Sequence, residues 1–328
     1  MKNKMDTNYS KRYIYRYTCH EQELSLCSLE IRQMFSIEPS WYQSTTIVDS
    51  PIEMSAQRSP YVKYRLQVLL SADSYEALLA KAEAIKLNER YKVVALETIQ
   101  GGQASRLAYE QRRQMERELG TAIGGSVSLK QPDVLLGIIQ LEGEWLLGIY
   151  EPHAGMWQQY DRKPRHYSTA LSTRVARTIV NIVLPQLDSN VTLLDPCCGI
   201  GTVLLQACDL GIAAEGYDIN PLAVVGAREN IAAFELNCSI GIADMRKLQG
   251  RYEVAVLDLP YNHCSVLPEV ERREMLQALS RLAEKAVIVS VEPIEQELRA
   301  IGATIIDAGH VQKTHFKRDV WLVHFQEE

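Results

Sequence analysis

The stretch Leu193-Leu194-Asp195-Pro196-Cys197-Cys198-Gly199-Ile200-Gly201-Thr202 decides the fold class. Its apolar start reads as a buried strand closed by an acid. The glycine-containing turn that follows leads into a helix over Val203 to Asp209. Glycine at such a turn lets a ligand approach the backbone closely. Further on, Ala214 to Tyr217 forms a second apolar strand ending in Asp218, whose carboxylate can accept both hydroxyls of a ribose. A dinucleotide fingerprint would place a third glycine where this chain has Leu204, which counts against a nicotinamide cofactor.

Working outward, apolar strands at Thr192 to Leu194, Ala214 to Tyr217, Val254 to Leu257 and Ala286 to Val291 alternate with helical segments, as a parallel α/β sheet requires. A helix over Ser168 to Leu184 precedes them, with Leu171, Val175, Ile179, Ile182 and Val183 at helical spacing and Pro185 ending it. Strand-like segments at Thr304 to Asp307 and Val320 to Phe325 close the chain around a basic tip holding Lys313, His315, Lys317 and Arg318.

The N-terminal half has a different grain. Tyr13 to Tyr17 reads as a strand and Leu24 to Phe35 as a helix. Tyr61 to Leu70 reads as a strand, Ser74 to Leu87 as a helix capped by Ser74, and Tyr91 to Leu96 as a strand. Gln103 to Leu119 is expected as one long helix ended by Gly120 and the Gly124-Gly125 pair, and Val134 to Leu141 with Glu144 to Tyr150 as a hairpin across Glu142-Gly143. Residues 151–164 show no period and hold two prolines, so the main boundary is expected there. The divisions are 1–60, 61–150, a linker at 151–167, and 168–328.

Composition narrows the class. With 46% hydrophobic and 23% charged residues the 328-residue chain is globular, and its length suits two or three modules. Seven cysteines without a CxxC pair argue against a disulfide framework and against a zinc site, and the seven histidines have no ligand spacing, so no metal is expected. No membrane-length apolar run or secretory leader is read, which makes the cytoplasm the expected location. Net charge is −6, but unevenly spread. Residues 1–165 carry 21 basic and 20 acidic side chains against 14 and 21 in the remainder, so the N-terminal half is the better polyanion reader.

The Asp195-Pro196 turn with Gly199 and Gly201, Asp218 closing the second strand, and Asp244 after the third together resemble class I methyltransferases. The resemblance implies S-adenosylmethionine as cofactor, held by Asp195, Pro196, Gly199, Gly201, Asp218 and Asp244. At the fourth strand's end, Asp258-Leu259-Pro260-Tyr261 resembles the (Asp/Asn)-Pro-Pro-Tyr motif of amino-group methyltransferases. An exocyclic amine is a poor nucleophile because its lone pair is delocalised into the base. Acceptors at Asp258 and the carbonyl of Leu259 favour the more tetrahedral nitrogen, Pro260 stiffens the turn, and Tyr261 stacks on the base. Leu259 departs from the motif's first proline.

Val127 to Val134, with Lys130 among them, resembles the end of an RNA-reading THUMP domain. With His166, Ala176, Arg177 and Asn181, nearly the whole chain resembles the THUMP-containing tRNA guanine-N2 methyltransferases. The implied architecture is α/β: a ferredoxin-like segment and a THUMP domain forming an N-terminal α+β RNA-binding region, then a Rossmann-like methyltransferase domain. The implied activity is methylation of a guanosine N2 in tRNA, with Lys130, Lys313, Lys317 and Arg318 as RNA contacts. Ribosomal RNA guanine-N2 or DNA adenine-N6 methylation stay open as alternatives, as does an RNA-binding protein with an inactive methyltransferase domain.

Overall fold

The computed structural model describes residues 11–167, 170–260, 267–313 and 316–326. In chain order its first elements are β1 (Tyr13–Thr18), α1 (Leu24–Phe35), β2 (Thr45–Ser50), β3 (Val62–Ala72), α2 (Tyr75–Ala82), β4 (Lys86–Gln100), β5 (Gln103–Ser105), α3 (Tyr109–Ala122), β6 (Gly124–Val127), β7 (Val134–Leu141) and β8 (Glu144–Pro152). There follow α4 (Thr173–Val183), β9 (Thr192–Asp195), α5 (Thr202–Asp209), β10 (Ala213–Asp218), α6 (Pro221–Ala233), β11 (Ser239–Ile242), β12 (Tyr252–Asp258), α7 (Glu269–Leu282), β13 (Ala283–Ser290), α8 (Glu295–Ala300), β14 (Thr304–Lys313) and β15 (Phe316–His324).

Two compact units form. The first holds the described residues up to Cys19 together with Pro39–Ala56 and Tyr61–Ala154; the second holds His20–Glu38, Gln57–Pro60 and everything from Gly155 on. Helix α1 and residues 57–60, early in the chain, therefore pack within the second unit rather than with their sequence neighbours.

In the first unit the strands run β2-β1-β3-β8-β7-β4-β5, with β6 also paired to β4. The expected hairpin is present. Glu142 and Gly143 both take positive φ (47° and 88°), the handedness that a two-residue turn needs to match strand twist. Two sequence expectations change. The helix expected to Leu87 stops at Ala82, because Ile85, Leu87, Tyr91, Val93 and Ala95 are buried at alternate positions and extend β4 backward. The long helix expected from Gln103 begins only at Tyr109: Gln103–Ser105 turns back on β4 through Gly101 and Gly102, both at positive φ. Gly120 does not end that helix, which runs on to Ala122.

In the second unit the strands run β11-β10-β9-β12-β13-β15-β14, parallel through β13, with β15 antiparallel between β13 and β14. This mixed α/β sheet has the Rossmann-like order expected from its alternating strands and helices. The helix expected over residues 168–184 occupies Thr173–Val183, capped by Ser172 Oγ, with 168–169 outside the described residues. The closing hairpin is longer than expected because β14 and β15 stay paired from Thr304↔His324 to Lys313↔Phe316. Among the described residues no helix is long and apolar enough to cross a membrane.

Helix α4 is buried almost all round, and Arg177 and Asn181 on it join a buried polar network. Glu30 on α1 accepts from Asn181 Nδ2 (2.7 Å) and Ser59 Oγ (2.6 Å). Arg58 Nε donates to Asn181 Oδ1 (2.9 Å). Arg177 donates through Nε to the Arg58 carbonyl (2.9 Å) and through Nη1 to Asp209 Oδ2 (2.6 Å). Residues 20–38 and 57–60 are thereby tied to α4 and α5. Burial pushes the Glu30 carboxyl up to about 7 against the pull of its hydrogen bonds and of Arg58 and Arg177.

A buried acid whose pKa is raised on folding gives up stability as pH climbs through the folded value. The unfolding free energy should therefore decline between pH 4.5 and about 7 through Glu30. Glu30→Gln, which resembles the protonated acid, should flatten that part of the curve in urea titrations at successive pH values. An unchanged slope would refute the assignment.

Candidate functional site

The site follows from register. Strand β9 is only four residues long, and both neighbours outrun it. Asp195, its last residue, pairs with Gly216 on β10, so Asp218 lies two residues further on. On the other side Leu194 pairs with Ala255 on β12, which leaves Asp258 equally far past Asp195. The two acids flank the turn that leaves β9, at the carboxyl ends of the strands where the connection order reverses, which is where open α/β sheets bind ligands.

The turn is held by its neighbours. Cys198 N–H donates to the Tyr217 carbonyl (2.8 Å), and Gly201 N–H closes back on the Cys198 carbonyl (2.8 Å). Gly199 N–H donates to Asp218 Oδ2 and Asn220 N–H to Oδ1, both at 2.8 Å. Gly201 has φ of 78°, and a Cβ there would sit 3.2 Å from that of Ala227 on α6, so both conformation and space call for glycine. At Gly199, φ 54°, a Cβ would meet nothing within 4 Å: the backbone faces open space.

Asn230 escapes a reading by motif. This fully buried side chain on α6 donates to the Ile200 carbonyl (2.9 Å) and the Arg165 carbonyl (3.1 Å) and accepts from Arg165 N–H (2.8 Å). It braces the turn through the Ile200 carbonyl. Its signal was a polar residue at an inward position, three after Ala227 and beside Ile231.

The carboxylates differ in their surroundings. Burial, then the nearby Asp258 and Asp218, holds the Asp195 carboxyl well above the usual carboxylate range, although the Cys197 amide opposes this. Burial pushes Asp258 up to about 7, with Arg318 drawing it down. Its Oδ1 is buried and has no hydrogen-bond partner among the described residues. Asp244, by contrast, is held below the usual range by the Arg246 guanidinium, which spans both its oxygens (3.0 and 2.8 Å) while Nη1 reaches Glu274.

Leu259 shows why the motif's first proline can be absent. Its N–H donates to the Val289 carbonyl (3.0 Å), extending the β12–β13 ladder by one bond that proline cannot make. Its side chain is buried with Met275, Leu276 and Leu279. Pro260 is exposed, and Tyr261 lies outside the described residues.

The expected RNA contacts are dispersed. Lys130 is exposed in the first unit, and Lys313 ends β14. Lys317 pairs with Asp319 (2.7 Å), and Arg318 is half-buried on β15. Of the remaining resemblance residues, Ala176, Arg177 and Asn181 are buried in α4, while His166 is exposed. No group of His, Cys, Asp or Glu that could hold a metal occurs among the described residues.

Residues 187–320 match the family described as a methyltransferase domain. The chain is 28% identical over 207 residues to the tRNA (guanine(10)-N2)-dimethyltransferase of Methanothermobacter thermautotrophicus, covering 58% of this chain and 60% of that one. It is 26% identical over 175 residues to the protein of the same name from Pyrococcus abyssi, covering 50% and 52%. The chain thus spans less than two thirds of the length of these relatives. Among solved structures it is similar to TrmN from Thermus thermophilus at 16% identity and a TM-score of 0.49, over 96% of this chain and 100% of that one. The resemblance to tRNA guanine-N2 methyltransferases read from the sequence is borne out, and the sheet order of the second unit is that of a Rossmann-like methyltransferase domain.

Leu259→Pro, which restores the motif, should destabilise this chain by about 2 to 4 kcal/mol, because it removes a ladder hydrogen bond and a buried leucine side chain together. Urea denaturation measures the loss. Stability equal to the parent's would show that neither contact matters.

Proposed function

We propose that the chain methylates the exocyclic N2 amine of a guanosine in tRNA, using S-adenosylmethionine, as a cytoplasmic enzyme. The observation that carries this reading is the buried Asp258 Oδ1, without a partner among the described residues, at a strand tip beside a glycine turn open to a ligand.

The residues present fit the cofactor. Each Asp218 oxygen spends one lone pair on a backbone N–H and keeps another, enough for the two hydroxyls of a ribose. Gly199 leaves room for close approach, and Asp195 and Pro196 begin the turn. Asp244 keeps acceptor capacity for an adenine amine only by sharing it with Arg246. When bound, S-adenosylmethionine supplies a methyl group on a sulfonium, ready for direct displacement.

What this chain's own residues do is orient the nucleophile. Asp258 Oδ1 accepts a hydrogen bond from one amine proton and the Leu259 carbonyl from the other, which drives the nitrogen toward the pyramidal form that attacks. The amine proton then passes to Asp258 or to solvent. Pro260 limits the turn's freedom, Tyr261 stacks on the base, and proximity and alignment supply most of the rate.

The first unit, with Lys130, serves in this reading as the ferredoxin-like and THUMP-type RNA-binding region, and Lys313, Lys317 and Arg318 as contacts of the methyltransferase unit. The names of the relatives support tRNA as the partner.

Asp258→Ala should abolish transfer of labelled methyl to tRNA while leaving cofactor affinity within about twofold, and Asp218→Ala should weaken that affinity at least tenfold by calorimetry, a loss on the order of 1.4 kcal/mol. Transfer to ribosomal RNA or DNA in preference to tRNA, or a product nucleoside other than an N2-methylated guanosine, would overturn the substrate assignment.

A further inference from the structure

The two apolar clusters of the second unit sort the faces of its sheet. Val254, Val256, Val289 and Val320 belong to one, and Ala255, Leu257, Ile288 and Val323 to the other. Side chains alternate along a strand, so Asp195, Asp218, Asp258 and Arg318 all leave the sheet on the first face. Asp258 pairs with Val289, and Val289 with Val320, which sets these three in one row. Arg318 is two residues from Val320. Because β15 is antiparallel to β13, that step leads toward the carboxyl ends of the parallel strands. Its side chain thus stands on Asp258's side of the sheet, one row beyond it, with only β13 between the two strands.

We propose that Arg318 is a positioning residue that favours the ionised form of Asp258, in which Oδ1 accepts a hydrogen bond from the substrate amine instead of offering one. This rests on the reading of Asp258 given under Proposed function.

Electrostatics agree with the placement. Burial disfavours a charge on Asp258, and Arg318 counters it; in return Asp258 supports the Arg318 charge, which burial also opposes. Among the described residues, the other groups around Asp258 do not replace this cation. From β9 and its turn come Asp195, itself held toward the neutral form, and the Cys197 thiol, pushed up by burial and the neighbouring carboxylates. Asp218, on β10, is directed to the Gly199 and Asn220 amides. Asp319 projects from the other face and pairs with Lys317, and Ser290 at the tip of β13 accepts from Trp321 Nε1. A carboxyl left with burial alone would carry its proton at neutral pH and present a donor to an amine that needs an acceptor.

The test isolates the titration of Asp258 without relying on turnover. Unfolding free energy is measured against pH for the parent and for Asp258→Asn; their difference grows as pH rises and levels off above the folded pKa, near 7. In an Arg318→Gln background the levelling point should move up by about one pH unit, a tenfold change in proton affinity. Arg318→Lys, which keeps the charge on a different head group, should fall between the two and suffices alone if the glutamine variant does not fold. The acid limb of single-turnover methyl transfer should shift in the same direction. An Asp258 titration that stays put in both Arg318 variants overturns the proposal whatever the activity. So does a raised KM for tRNA with the acid limb unmoved, which would leave Arg318 as an RNA contact alone. A shifted titration with no transfer to any nucleic acid supports the pairing and rejects the functional reading it was built on.

Discussion

The shortness of β9 governs the second unit. Because this central strand stops two residues before both of its neighbours, a notch opens at the carboxyl edge of the sheet, and the first residues past its floor on the face of Asp195 are Asp218 and Asp258. Parallel pairing keeps all three acids on one face, since residues in register across a sheet point the same way. The glycine turn then fills only the floor of the notch. Were β9 longer by a pair of residues, its own side chains would occupy the space now left to a ligand.

Such a concentration of carboxyl groups costs stability. Asp195 and Asp258 are held above the ordinary carboxylate range by burial, and Asp195 also by its acidic neighbours. Compensation comes from elsewhere in the unit. The network of Glu30, Arg58, Arg177, Asn181 and Asp209 anchors α4, and Asn230 fixes the turn through the Ile200 carbonyl. Buried polar groups are tolerable when each finds its partner, and an acceptor left over at the site is then conspicuous. Asp258 Oδ1 is such an acceptor among the described residues.

Legibility in the sequence varied with the kind of signal. The strands β9, β10, β12 and β13 were visible as apolar runs, and the hairpin at Glu142-Gly143 as a turn of the right length. The stop of α2 at Ala82 was harder, since Ala84, Ile85 and Leu87 suit a helix by propensity, and the alternation that makes them strand appears only when read together with Tyr91, Val93 and Ala95. The start of α3 was misplaced for a related reason: Gly101-Gly102 was available as a hairpin signal but adjoined a segment of good helix formers. Helix α1 was legible as a helix, yet nothing local showed that it packs in the second unit, because its partners Asn181 and Asp307 are more than a hundred residues away.

By itself the sequence determined the alternation of strands and helices, the glycine turn, and the identity of the acids at the strand ends. These depend on local rules: the period of apolar residues, the φ freedom of glycine, and the residue types that chemistry demands. Only the tertiary structure decided which side chains share a face with those acids, that Arg318 shares that face across β13 from Asp258, that Asp244 is engaged by Arg246, and that Leu259 supplies a ladder bond. Each of these is a matter of register between strands or of burial by distant segments. Charge interactions weaken steeply with exposure and distance, so their outcome is set where the chain has folded and not where its residues lie in order.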